Sequence, residues 1–195
     1  MQLEFTPEGV ISAYAYGIFP MAHEEIGELW WYRPDPRAIL PLDGFHISRS
    51  LARTIRRGVF EVRVNTAFEA VMRACADRPE GTWISEAFVQ VYTEIHRRGQ
   101  AHSVETWRDG ELVGGTYGVA IGGAFMAESM FHRATDASKV ALAALVQRLR
   151  QRGFELLDVQ YLTPHLKSLG AVEIPHNVYI RRLHRAIRLP CRFVD

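Results

Sequence analysis

Cysteine is nearly missing from this sequence. Cys75 and Cys191 are the only two and have no paired spacing, which excludes a disulfide framework and a cysteine-based metal site and points to a reducing, cytoplasmic setting. Long apolar runs are missing too, so no transmembrane helix is expected. The start, "MQLEFTPEGV", lacks the basic-then-apolar order of a signal peptide. There are no repeats and no low-complexity segment. No P-loop, Rossmann fingerprint, G-x-S-x-G or Ser-His-Asp pattern is present, and His46, His102 and His132 show no metal spacing. Neither a metal nor a cofactor is expected.

Acid is missing locally. The chain of 195 residues has a net charge of +1, yet "HISRSLARTIRR" (46–57) and "RRLHRAIRLPCR" (181–192) contain no carboxylate. In the first, Arg49, Arg53, Arg56 and Arg57 fall on one face of a helix. One such stretch is commonly just a solvated surface; two in a nearly neutral chain favour a polyanionic partner.

What is present is a chain that can bury a core, 48% hydrophobic and 11% aromatic. Thr6, Pro7 and Glu8 read as the capped start of a helix over 6–16. The proline-rich "LWWYRPDPRAILPLDGF" then separates a small N-terminal unit (1–34) from a main domain (35–195), with a short strand over 37–40. The main domain reads as a helix over 46–57, a strand "FEVRVN" with Phe60, Val62 and Val64 on one face, a helix over 67–76, and a helix capped by Ser85 and stopped by Gly99. A three-stranded antiparallel meander follows, with turns at Asp109-Gly110 and Gly122-Gly123. Thr135 or Asp136 caps a long helix to Gly153. A buried strand, a short helix at Thr163-Pro164, a last strand and a terminal tail complete an α+β chain. A meander feeding a long helix, then strand, helix, strand, is the element order of GCN5-related N-acyltransferases.

Three groups of residues stand out chemically. Asp158 and Gln160, two apart in "LLDVQ", share a face of an otherwise apolar strand, which is costly unless they are hydrogen-bonded or used. Glu128 alternates with Met126 and Met130, placing it on their face as an acid in an apolar pocket or as an edge carboxylate reaching solvent. The consecutive Trp30, Trp31 and Tyr32 cannot all face one core, and with Trp83, Tyr92, Phe125 and Phe131 they suit either a core or a surface that stacks bases.

The strings "AYAYGIFPM", "WWYRPDPRAILP", "FHISRSL", "GTWIS", "AHSVETWRDGELVGGTYGV", "AESMFHRATDASKVAL" and "LLDVQYLTPHLKSLGAVEIP" closely resemble the bacterial leucyl/phenylalanyl-tRNA–protein transferase family, in one order and over almost the whole chain. The resemblance implies a small N-terminal domain on a GCN5-related acyltransferase-like domain. It implies an enzyme that moves Leu or Phe from aminoacyl-tRNA to the α-amine of proteins with N-terminal Arg or Lys, feeding N-end-rule degradation, without a cofactor. Carried over position by position, Asp158, Gln160 and Glu128 are the catalytic group. Tyr14, Trp83, Tyr92, Phe125 and Ser129 form the aminoacyl-adenosine pocket. The expected tRNA surface holds Arg49, Arg53, Arg56 and Arg57. Met21 stands where the family commonly has Trp, and Val159 where Cys is frequent. Asp158 is expected to accept a hydrogen bond from the attacking amine, directly or through Gln160, and Glu128 to meet the cationic acceptor. The expected species is a monomer. The competing readings are an acetyl-CoA-dependent N-acyltransferase, which would need a glycine-rich loop where "FHRATDASKVAL" stands, and a tRNA-binding module without catalysis.

Overall fold

A computed structural model describes residues 4–22, 28–79 and 81–195; the first three residues of the stretch read for a signal peptide lie outside them. Helix α1 (Pro7–Ala15) opens on the Thr6 side chain, which accepts a hydrogen bond from the Gly9 amide. Strands β1 (Phe19–Ala22) and β2 (Leu29–Tyr32) pair antiparallel as a separate two-stranded sheet. That hairpin is not marked in the sequence, because Pro20 sits within β1, a residue tolerated only at an edge.

The main sheet has seven strands in the order β4-β5-β6-β7-β8-β3-β9: β3 (Arg37–Ile39), β4 (Glu61–Val64), β5 (Ala101–Arg108), β6 (Glu111–Ile121), β7 (Ala124–His132), β8 (Leu156–Gln160) and β9 (Val172–Ile174). Helices α2 (Arg49–Arg56), α3 (Phe68–Ala76), α4 (Glu86–Arg97), α5 (Ala137–Gln151), α6 (Pro164–Ser168) and α7 (His176–Ala186) complete the described elements. The turn between β5 and β6 has Asp109 and Gly110 at φ 53° and 81°, the conformation that matches the twist of paired strands. The fold is therefore mixed α+β, with a core on each face of the sheet. One core holds Tyr14, Phe19, Tyr92, Tyr117 and Met126, the other Phe125, Leu142, Leu157 and Val159. Among the described residues no helix is long and apolar enough to cross a membrane.

Two expectations are corrected. The segment read as a terminal tail contains α7, which buries Tyr179, Leu183 and Ala186; these recur at i, i+4 and i+7, a helical stripe that the surrounding arginines obscure. Phe60, Val62 and Val64 do share the face of β4 turned towards α5: Val64 packs against the second core and Phe60 against Ala137, while Val62, beside Val140, stays 41% exposed. Glu128 does not share a face with both methionines. Tyr117 pairs with Ser129 and Gly118 with Ala127, so Glu128 is an extra, unpaired residue in β7. A bulge of this kind shifts the alternation and re-aims a side chain: Met126 lies in the first core and Met130 packs against the second.

The bulge opens the sheet. β7 and β8 pair in parallel only from Ala124↔Leu156 to Met126↔Asp158. Past that point β7 runs on to His132, while β8 ends at Gln160, whose φ of 57° turns the chain aside. Gly118 faces the bulge closely: a Cβ there would lie 2.2 Å from the Met126 carbonyl oxygen and 2.5 Å from the Phe125 ring. Gly118→Ala is expected to cost about 1–3 kcal/mol of stability through overpacking, read by urea unfolding; a variant as stable as the parent would mean the bulge yields freely.

Candidate active site

Where β7 and β8 part, a cavity of about 1130 Å³ opens, walled among others by Met21, Trp83, Glu128, Ser129 and Gln160. Behind its polar wall lies a buried ion pair. Arg37 Nε and Nη2 donate to Asp158 Oδ1 and Oδ2 at 2.9 and 2.6 Å, and Nη1 donates to the Gly17 carbonyl. Both side chains are 0% exposed. The guanidinium lies between the Phe19 and Tyr179 rings, 4.8 and 4.6 Å from their centroids, a favourable placement of a cation on π faces. Burial opposes the Arg37 charge, but the Asp158 carboxylate outweighs it and holds the guanidinium above its ordinary range.

Asp158 has no acceptor site left for a substrate. Oδ1 also takes the Gln160 amide N–H at 3.0 Å and Oδ2 the Tyr179 hydroxyl at 2.8 Å, so each oxygen receives two donors. The expectation that Asp158 meets the attacking amine directly is therefore corrected. It lies off the cavity wall and positions Gln160, whose left-handed backbone needs holding.

Gln160 and Glu128 line the cavity side by side, from the end of β8 and the bulge of β7. Gln160 Nε2 donates to Glu128 Oε1 at 3.1 Å, so the amide carbonyl of Gln160 remains as an acceptor. Tyr14 donates to the same Oε1 at 2.5 Å, and the Tyr92 hydroxyl lies 2.6 Å from that of Tyr14. With two donors on Oε1, the proton of the neutral acid belongs on Oε2. Burial pushes Glu128 up to about 8; the Tyr14 bond opposes this, the Asp158 charge adds to it, and Arg37 and Gln160 oppose it. Burial, followed by the Glu128 charge, raises both tyrosines well above the usual phenol range and keeps them as donors.

The pocket residues expected from the sequence divide. Trp83 and Ser129 line the cavity, and Ser129 Oγ receives a 2.9 Å bond from Arg78. Tyr14 and Tyr92 stand behind Glu128, buried, and act through hydroxyls rather than as walls. Phe125 lies before the bulge, on the far face of β7, stacked on Phe193 in the second core. Val159 does reach the cavity, because the chain turns at Gln160. Arg37 and Tyr179 were missed. Their one legible signal is the unpaired carboxylate in an apolar strand, which demands donors without naming them.

Arg49, Arg53, Arg56 and Arg57 are exposed on α2, whose Ser48 cap accepts the Leu51 amide. α2 meets the first turn of α5 where Thr54 donates to Asp136, which also pairs with Lys139 at 3.0 Å. Asp136 has a left-handed backbone and makes no side-chain cap.

The chain matches the family profile described as leucyl/phenylalanyl-tRNA protein transferase over residues 39–184, and the profile of that family's N-terminal domain over residues 4–35. A curated leucyl/phenylalanyl-tRNA–protein transferase from Herpetosiphon aurantiacus is 54% identical over 194 residues, covering 99% of this chain and 100% of that protein. One from Gloeobacter violaceus is 54% identical over 193 residues, with 99% and 100% covered. Among solved structures, L-PGS from Bacillus licheniformis overlays with a TM-score of 0.43 at 14% identity, over 83% of this chain and 55% of that one; at that score the likeness carries no fold assignment.

Asp158→Ala strands the Arg37 charge in the core and is expected to cost about 3–5 kcal/mol. The double variant Arg37→Met/Asp158→Leu should recover much of that loss in urea unfolding, whereas equal losses in both would mean the pair is not the cause. Glu128 titrates at about 8 when folded and at about 4.3 when unfolded. Between these values the folded chain keeps a proton that the unfolded chain releases. This stability is full below the unfolded value and is lost as pH rises through the folded one. The Tm of the parent, relative to Glu128→Gln, should therefore fall between pH 5 and pH 8.5; a constant difference would remove the assignment.

Proposed function

The chain belongs to the leucyl/phenylalanyl-tRNA–protein transferase family, and we propose how its cavity transfers an aminoacyl group from tRNA to a protein. The family reaction is aminolysis of an activated ester, so no second activation is needed. An α-amine has a pKa of about 7.7–8.0 and is partly neutral near pH 7. Holding amine and ester in register can supply roughly 7–11 kcal/mol of barrier reduction.

The observation that carries this reading is the pairing of Gln160 with Glu128 on one wall, Gln160 held at both its backbone and its side-chain nitrogen. The Gln160 carbonyl oxygen accepts a hydrogen bond from the attacking amine and aims its lone pair at the ester carbon. As the C–N bond forms, the nitrogen becomes cationic and must lose a proton, while the 3′ oxygen of the terminal adenosine must gain one as its bond to carbon breaks. Glu128, poised at about 8, takes the first proton in its ionised form and returns it to the leaving oxygen. The ionised form also pairs with the cationic side chain of an N-terminal Arg or Lys, which favours such acceptors and links them to N-end-rule degradation.

The apolar part of the wall, with Ala127, Met130, Leu142 and Val159, suits the side chain of a Leu or Phe donor, worth about 1.5–3 kcal/mol when buried. Met21 and Trp83 flank the space proposed for adenosine, and Tyr14 and Tyr92 act by orienting Glu128. The α2 arginines are the proposed tRNA surface. The separate β1–β2 sheet and the entry of β3 into the main sheet support a division at 1–34 and 35–195. The parting of β7 from its parallel neighbour supports a GCN5-related fold. The two free cysteines support a cytoplasmic setting.

Transfer of radiolabelled Leu from charged tRNA should label a peptide beginning with Arg and not the same peptide beginning with Ala. Gln160→Ala should lower kcat by about 100-fold or more. Label on neither peptide would end the transferase reading, and an unimpaired Gln160→Ala would move the amine to another acceptor.

A further inference from the structure

The second acid-free stretch has no part in the chemistry above. α7 turns Tyr179, Leu183 and Ala186 inward, so Arg181, Arg182 and Arg185 on the helix, and Arg188 and Arg192 beyond it, are exposed. Arg185 pairs with Glu155 at 2.6 Å. Among the described residues the other four have no carboxylate within ion-pair distance. The inner face of the helix is tied to the cavity wall: Tyr179 donates to Asp158, whose carboxylate also holds the Gln160 amide. The helix ends where Gly123, in the β6–β7 turn, donates to the Ala186 carbonyl. Eleven helical residues rise about 16 Å.

We propose that this face of α7 is a second RNA-binding surface, which grips the phosphate backbone of the acceptor arm while the 3′ end enters the cavity. The inference rests on the transferase reading, because the ester's location fixes which polyanion passes this face. Exposed, unpaired arginines at 181 and 182 on the helix and at 188 just past it suit repeated phosphates. An anionic membrane is the poorer occupant: a helix lying on lipid needs a free apolar face, and that of α7 is buried in the protein core. α2 and α7 would then hold the RNA from opposite faces of the sheet, since α2 lies against α5 and α7 packs with Tyr14 and Phe19 on the other side.

The test is binding of deacylated tRNA, followed by fluorescence anisotropy over a salt series, for the parent and for Arg181→Gln/Arg182→Gln/Arg188→Gln. Each lost phosphate contact lowers the slope of log K against log salt by roughly 0.7–0.9, so the triple variant should lose roughly 2–3 in slope. Its KM for aminoacyl-tRNA should rise tenfold or more, with transfer from a short aminoacyl ester of adenosine unchanged. The corresponding lysine triple variant, which keeps the charge, should keep the slope. An unchanged slope overturns the proposal. So does equal damage with the adenosine ester, which would make α7 a folding element. So does loss of binding to phosphatidylglycerol vesicles without loss of tRNA slope, which would assign the face to a membrane. If the parent itself fails to use the adenosine ester, the transferase reading falls, while the slope still decides the RNA surface.

Discussion

A charge that cannot reach water organises this protein. Arg37 comes from the join between the small N-terminal unit and the main sheet, Asp158 from β8, Tyr179 from α7 and Gly17 from the turn after α1. Each satisfies a group that burial would otherwise leave unpaired, and the loss of any one leaves another exposed to that cost. The pair holds four segments in register and, through the Gln160 amide, sets the conformation of the residue that faces the cavity. Packing and chemistry meet at this point because the same carboxylate serves both.

Asp158 and Glu128, on neighbouring strands, are put to different use by their surroundings. Asp158 receives four donors, two of them from the Arg37 guanidinium. Glu128, re-aimed by the bulge, receives hydroxyl and amide donors on one oxygen and has no cation bonded to it. One carboxylate is fixed as a structural anion and the other is left able to exchange a proton near neutrality. Environments that drive two acids apart in this way assign their roles.

Much of the fold was legible because its signals are local. Thr6 and Thr163 cap their helices as read, and Asp109-Gly110 makes its hairpin. From the helix over 46–57 to β8 the order of elements follows from hydrophobic period together with caps and turn residues. What escaped depends on distant partners. Nothing near Glu128 marks an extra residue in β7; the bulge appears only when β7 is laid against β6. Nothing near Arg37 names Asp158. Asp158 and Gln160 were visible as polar residues in an apolar strand, but whether such a residue touches substrate or holds its neighbour is decided by what fills its lone pairs. Phe125 was misplaced for a related reason: a pattern gives the face of a strand, not what lies above that face.

The pair that sets the site also sets when the site can exist. Arg37 and Asp158 lie 121 residues apart, and a ribosome adds roughly 5–20 residues per second. The Arg37 guanidinium therefore waits many seconds without its carboxylate, until the last fifth of the chain emerges. A chain that stops before residue 158 lacks the carboxylate, Gln160 and Tyr179 together. The wall that pairs Gln160 with Glu128 is thus among the last parts of the molecule to be made.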